Sequence, residues 1–211
     1  IYFDQDLVWY ENDGSQSFTK RTIDASVGGS ANHCTAVDID GDDDLDIVSG
    51  TYNTSTLSWY ENDGSQSFTK NLIGNGNVNS PSAVDLDEDG DIDLICRFND
   101  GANKLVWFEN DGSGSFSQND IDNINAAMPE VFDLDEDGDF DIVVPDRTND
   151  LLAWYANNGS ENFTKNIIDN SGMTDIYDVE VGDIDGDGDI DIAAQTASNN
   201  STADDKIVWY M

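Results

Sequence analysis

Four stretches of this sequence place carboxylates at a spacing suited to one kind of chemistry, the capture of a hard cation by oxygen ligands. They read DIDGDDDLD over residues 38–46, DLDEDGDID over 85–93, DLDEDGDFD over 133–141 and DIDGDGDID over 183–191. Aspartates at loop positions one, three, five and nine can converge on one point if the chain turns sharply between positions five and seven. The side-chain ligands so predicted are Asp38, Asp40, Asp42 and Asp46; Asp85, Asp87, Asp89 and Asp93; Asp133, Asp135, Asp137 and Asp141; and Asp183, Asp185, Asp187 and Asp191. Position seven of such a loop gives its main-chain carbonyl, which assigns that role to Asp44, Asp91, Asp139 and Asp189. Gly90, Gly138 and Gly188 stand at position six, where a left-handed turn costs glycine least. The first loop departs from this pattern, with Gly41 at position four and Asp43 at position six. A plain solvated acidic turn is the competing reading. It is disfavoured because two carboxylates about 5 Å apart repel by roughly 3 kcal/mol at an effective dielectric near 20, and each loop holds several such pairs. A flexible loop offering more than six oxygens selects Ca²⁺ over Mg²⁺, so up to four calcium ions are expected.

The elements that must position these loops repeat with them. Trp9, Trp59, Trp107, Trp154 and Trp209 each sit in a short apolar stretch, and the twelve residues WYENDGSQSFTK occur unchanged at 9–20 and 59–70. A period near 48 residues with four short β-rich runs per unit predicts an all-β chain, a β-propeller of four-stranded antiparallel blades. In one unit the strands are expected at 35–40, 45–52, 57–61 and 68–73, with the aspartate loop between the first two and an Asn62-Asp63-Gly64 turn between the last two. Complete blades are expected at about 34–73, 82–123 and 130–169, with partial blades at 1–24 and about 177–211, in one propeller-repeat array over 1–211. The third strand is apolar on both faces, as a sheet sandwiched between two others requires, so the tryptophans are read as inter-blade packing residues.

Four DxDxDGxxD-type loops at one period resemble the FG-GAP and VCBS-like repeats, which occur in integrin α-subunit heads, some fungal lectins and many secreted bacterial proteins. The Phe-Gly and Gly-Ala-Pro signatures of the family's name are not recognisable here, so blade count and partner surface do not carry over. The resemblance implies structural calcium sites that pin the first two strands of each blade. Sites of extracellular type fill near millimolar calcium, which implies an extracellular or cell-surface setting.

Composition narrows the function. The 211 residues carry 45 acidic and 8 basic side chains, a net charge of −37, which excludes nucleic-acid binding through phosphates. With 37% hydrophobic residues the chain still has a core to bury, and no run is long enough for a helical membrane span. The first residues lack the pattern of a signal peptide, which suits a trimmed or excised chain as well as a cytosolic one. Cys34 and Cys96 occupy non-equivalent blade positions, favouring two buried thiols over a disulfide. His33 is the sole histidine, and no nucleophile has a visible base, so no catalytic constellation is found. The sequons at Asn53, Asn158, Asn162, Asn199 and Asn200 are expected by chance in so Asn-rich a chain. The C-terminal KIVWY and N-terminal DLVWY copy the same third strand. Three arrangements follow: a segment of a larger ring, which is favoured; a closed four-bladed ring with a displaced strand; or a head-to-tail polymer completed by neighbours. The leading expectation is a non-enzymatic calcium-binding adhesion, scaffold or assembly module for a protein or glycan partner. The alternative is a lectin-like propeller using Tyr52, Tyr155 or Tyr177, and third comes a domain of a polysaccharide-degrading enzyme.

Overall fold

The computed structural model describes residues 6–28, 31–51, 55–171, 176–196 and 207–210, all as strands, turns and irregular segments without a helix. Among the described residues seventeen strands form five separate antiparallel sheets. The first sheet pairs β1 (Leu7–Asn12) with β2 (Phe18–Asp24). The second runs in order through β3 (Ala31–Val37), β4 (Asp46–Thr51), β5 (Thr56–Asn62) and β6 (Phe68–Gly74). The third contains β7 (Asn77–Val84), β8 (Asp93–Asn99), β9 (Asn103–Asn110) and β10 (Phe116–Asp122), and the fourth β11 (Glu130–Phe132), β12 (Asp141–Asp146), β13 (Leu151–Ala156) and β14 (Thr164–Asp169). The fifth joins β15 (Ile176–Gly182), β16 (Asp191–Thr196) and β17 (Ile207–Tyr210). The second sheet begins at Ala31 and the third at Asn77, each a few residues before the sequence pattern starts its blade. Among the described residues β17 pairs only with β16 and β1 only with β2, so the two copies of the third strand do not exchange partners.

The core lies between sheets rather than within them. One cluster joins Val48, Leu57 and Trp59 of the second sheet to Leu94, Phe98 and Phe108 of the third; another joins Leu105 and Trp107 to Ile142, Val144 and Tyr155 of the fourth. A third packs Val143 and Leu152 against Ile176, Val179 and Ile192 of the fifth sheet. The middle strands are therefore apolar on both faces, because each face meets a neighbouring blade. The fourth strands β6, β10 and β14 run along the outside and alternate exposed with half-buried positions.

Polar clasps mark the same boundaries. The Tyr60 hydroxyl donates to Asp24 Oδ2 at 2.9 Å, Tyr155 to Asp122 Oδ2 at 2.7 Å, and Tyr210 to Asp169 Oδ2 at 2.5 Å, each reaching from one blade to the last strand of the blade before it. Lys70 and Lys165 add ion pairs to Asp24 and Asp122. Between the second and third blades the clasp is replaced by apolar contact. Phe108 stands where the others have tyrosine and Gly74 where they have aspartate, and a Cβ added to Gly74 would lie 3.1 Å from the Phe98 ring and 3.4 Å from the Phe108 ring. No helix among the described residues is long and apolar enough to cross a membrane.

Candidate metal centres

Each aspartate loop connects the first strand of a blade to the second, and its ladder stops at the position-nine aspartate: Val37 pairs with Asp46, Val84 with Asp93, Phe132 with Asp141 and Gly182 with Asp191. In between, two residues per loop adopt the left-handed conformation. At position six these are Asp43, Gly90, Gly138 and Gly188, with φ between 72° and 103°. At position four they are Gly41, Glu88, Glu136 and Gly186, with φ between 58° and 81°. Gly41 is thus suited to its place rather than a departure from the pattern, and the strain of the first loop is confined to Asp43.

The turns aim carboxylates inward. Asp38, Asp40 and Asp42 bring one oxygen each to within 4.8 Å of one another, as do Asp85, Asp87 and Asp89, Asp133, Asp135 and Asp141, and Asp183, Asp185 and Asp191. Position one is held by loop amides: Gly90 N–H donates to Asp85 Oδ2 and Gly138 N–H to Asp133 Oδ2, both at 3.1 Å. Position five accepts the N–H of position seven at 2.9–3.0 Å in all four loops. Position nine is the buried anchor. Asp46, Asp93 and Asp141 are fully buried and Asp191 nearly so. One oxygen of each accepts the N–H of position two, at 2.9–3.2 Å. The other accepts the N–H of Asn62, Asn110 or Asn157 at the end of the third strand in the first three loops, at 2.7–2.8 Å.

These donors do not balance the charge. Burial, with like charge behind it, raises the pKa of Asp40, Asp87, Asp135 and Asp185 at position three, and burial pushes Asp93 up to about 6 and raises Asp46 and Asp141. The indole N–H groups of Trp59, Trp107 and Trp154 are buried beside Asp46, Asp93 and Asp141, outside hydrogen-bond geometry but close enough to offset part of that rise. Asp40 Oδ1 and Asp85 Oδ1 are buried with no donor at all. Buried carboxylate oxygens without a partner, at the focus of two or three like charges, fit a divalent cation held by oxygens.

The FG-GAP-like repeat family matches this chain four times, over residues 1–49, 38–96, 85–144 and 133–194. The chain belongs to the FG-GAP-like repeat family. The first match ends just past the first aspartate loop and the other three each run from one loop into the next, so the repeating unit of the family is offset from the blades, whose loops lie between their first and second strands. No curated protein sequence matches the chain. Among solved structures it is similar to an Agrocybe aegerita lectin described as recognising non-reducing terminal N-acetylglucosamine, with a TM-score of 0.63 and 17% identity over 96% of this chain. The chain spans 60% of that lectin's length. Similarity at this identity speaks to the propeller fold.

The FG-GAP-like repeats place several expected residues differently from their sequence reading. The side chains of Asp44, Asp91 and Asp139, whose carbonyls were assigned to the loop, turn toward the neighbouring hairpin. A Cβ on Gly64, Gly112 or Gly159 would lie 2.3–2.7 Å from their carboxylate oxygens, so each packs against the hairpin turn of its own blade. Tyr155 is 2% exposed and its hydroxyl is committed to Asp122, which removes it as a sugar platform; Tyr177 is 42% exposed, and Tyr52 lies outside the described residues. Cys96 is buried, with its thiol pushed up to about 12 by burial, but Cys34 is exposed rather than buried, and both are free. Of the sequons, Asn158 and Asn162 are exposed, while Asn53, Asn199 and Asn200 lie outside the described residues. Trp59 and Trp107 are buried between blades, whereas Trp209 on β17 is 44% exposed. Sequence reasoning missed Asn62, Asn110 and Asn157, which brace the loops from the third strand. Their signal was present in the recurring WYEN, WFEN and WYAN motifs, where the asparagine was credited only to the turn.

Proposed function

We propose that the chain is a non-enzymatic, calcium-stabilised propeller module of an extracellular or cell-surface protein, serving adhesion, scaffolding or assembly. The observation that carries this reading is that each loop gathers three carboxylates within 4.8 Å, two loops with a buried oxygen that no donor satisfies. Calcium bound there would supply the positive charge that the loop amides lack. Asp38, Asp40 and Asp42 would hold it in the first loop and Asp85, Asp87 and Asp89 in the second, whereas in the third and fourth loops the position-nine carboxylate joins, as Asp133, Asp135 and Asp141 and as Asp183, Asp185 and Asp191. The carboxylates with raised pKa support a binding module over an enzyme, because apart from Glu130 they all belong to these loops. Titration calorimetry with calcium tests the reading: up to four ions per chain are expected, released by EDTA, and a chain that takes up none overturns it.

A second reading, glycan binding, is favoured by a groove between the second and third blades. It has a volume of ≈ 510 Å³ and is lined by Asp40, Glu61, Asn71, Trp59 and Phe116, polar groups beside aromatic ones as sugar recognition requires. The likeness to a lectin of this fold supports the same reading. A glycan array probed in millimolar calcium tests it, and an array without a hit counts against it.

A further inference from the structure

Asn110 touches two aspartate loops at once. It ends β9, is 1% exposed, and is joined to partners in two blades. Its Nδ2 donates to the carbonyl of Ile92, in the loop of its own blade, at 3.1 Å, and to the carbonyl of Ile39, in the loop of the preceding blade, at 2.8 Å. Its backbone N–H donates to Asp93 Oδ1 at 2.8 Å, and the N–H of Ile39 donates to Asp46 Oδ2 at 3.1 Å. A line of hydrogen bonds therefore runs from the buried Asp46 carboxylate through Ile39 and Asn110 to the buried Asp93 carboxylate. The orientation of the amide is settled by chemistry, since turning it over would set an oxygen against two carbonyl oxygens. Among the described residues the corresponding asparagines reach only their own loops: Asn62 Nδ2 donates to the carbonyl of Leu45 and Asn157 Nδ2 to that of Phe140, each at 3.2 Å.

We infer that Asn110 is a positioning residue that couples the first and second aspartate loops, so that filling either with calcium favours filling the other. The inference rests on the calcium reading above. Ordering the second loop fixes Asp93 and the Ile92 carbonyl, and with them Asn110. Asn110 then holds the Ile39 carbonyl, which lies between Asp38 and Asp40, so part of the ordering cost of the first loop is already met. By linkage the effect is reciprocal. The third loop has no such bond to the second among the described residues, so the pair stands apart.

The test compares calcium titrations of the wild-type chain, Asp40→Asn in the first loop and Asp135→Asn in the third, each with and without Asn110→Ala. Occupancy of the second loop is read from the Gly90 amide resonance, and total uptake by native mass spectrometry. Asp40→Asn should weaken the second loop by roughly 5-fold or more, Asp135→Asn should leave it unchanged, and Asn110→Ala should erase the difference between them. A purely structural asparagine would lower the melting temperature in EDTA and leave that difference intact. If Asn110→Ala does not fold, the two aspartate variants in the Asn110 background still decide. Equal affinity at the second loop whether or not the first is disabled overturns the coupling and leaves the calcium reading standing; a wild-type chain that binds no calcium overturns both.

Discussion

At the same end of each blade lie two acidic, glycine-containing segments that behave in opposite ways: the aspartate loop and the hairpin turn between the third and fourth strands. In the second blade they touch, Asp44 of the loop packing on Gly64 of the turn. Asp63 of the turn accepts the Ser65 hydroxyl and the N–H groups of Ser65 and Ser67, and the Ser65 hydroxyl above all holds its carboxyl below the usual range. Asp13 and Asp111 repeat the arrangement. In the loop beside it, burial and the neighbouring carboxylates raise Asp40, and one of its oxygens finds no donor. The same residue type is self-sufficient in one segment and short of donors in the other. What differs is the ratio of donors to carboxylate oxygens, which acidic composition alone does not reveal.

The largest effect is expected from chelation. If the proposed calcium sites exist, four of them at free calcium tenfold above each dissociation constant would together contribute about 5–6 kcal/mol. EDTA should then lower the melting temperature by roughly 10–20 °C, as scanning calorimetry would show. An unchanged melt would place the loops in the same class as the turns. Asp135→Asn should come next, lowering stability in calcium by up to about 1.4 kcal/mol and raising it in EDTA, where one of the mutually repelling carboxylates is gone, with native mass spectrometry counting one ion fewer.

Acidity separates the two segments by sign. In calcium-free buffer Asp93 titrates at about 6 in the folded chain, above its unfolded value, so the folded state binds the extra proton and gains stability as pH falls from 7 through 6. Asp63 has a lowered folded pKa, so its contribution is present above the unfolded pKa and is lost as pH falls through the acid range below 4. Melting in EDTA should rise from pH 7.5 to 5, and the gap between the calcium and EDTA curves should narrow over the same interval. A gap independent of pH would contradict the assignment. The smallest effect is expected for Asp63→Asn. Asn158 already holds the equivalent place in the fourth blade and accepts the Ser160 N–H at 3.1 Å, so the variant should shift melting slightly and equally in both buffers.

Much of this was legible in the spacing of residues. The aspartate loops close on themselves over nine residues and the hairpin turns over five, so their side chains meet backbone amides two to five positions away whatever the rest of the chain does. The period of the tryptophans and the two-faced apolar third strands likewise require stacked sheets. The left-handed residue at position four was less legible, because Glu88 and Glu136 occupy it as readily as Gly41 and Gly186, and glutamate gives no signal for that conformation.

The repeating unit and the crowding of carboxylates in each loop follow from local spacing and short-range hydrogen bonding. Tertiary structure alone decided how units meet. It buried Tyr155 against Asp122 and left Trp209 exposed, and it put Asn110 on the carbonyl of Ile39, 71 residues away. Those contacts depend on which face of one twisted sheet lies on the next. Copies of nearly identical sequence differ in that respect because their neighbours differ.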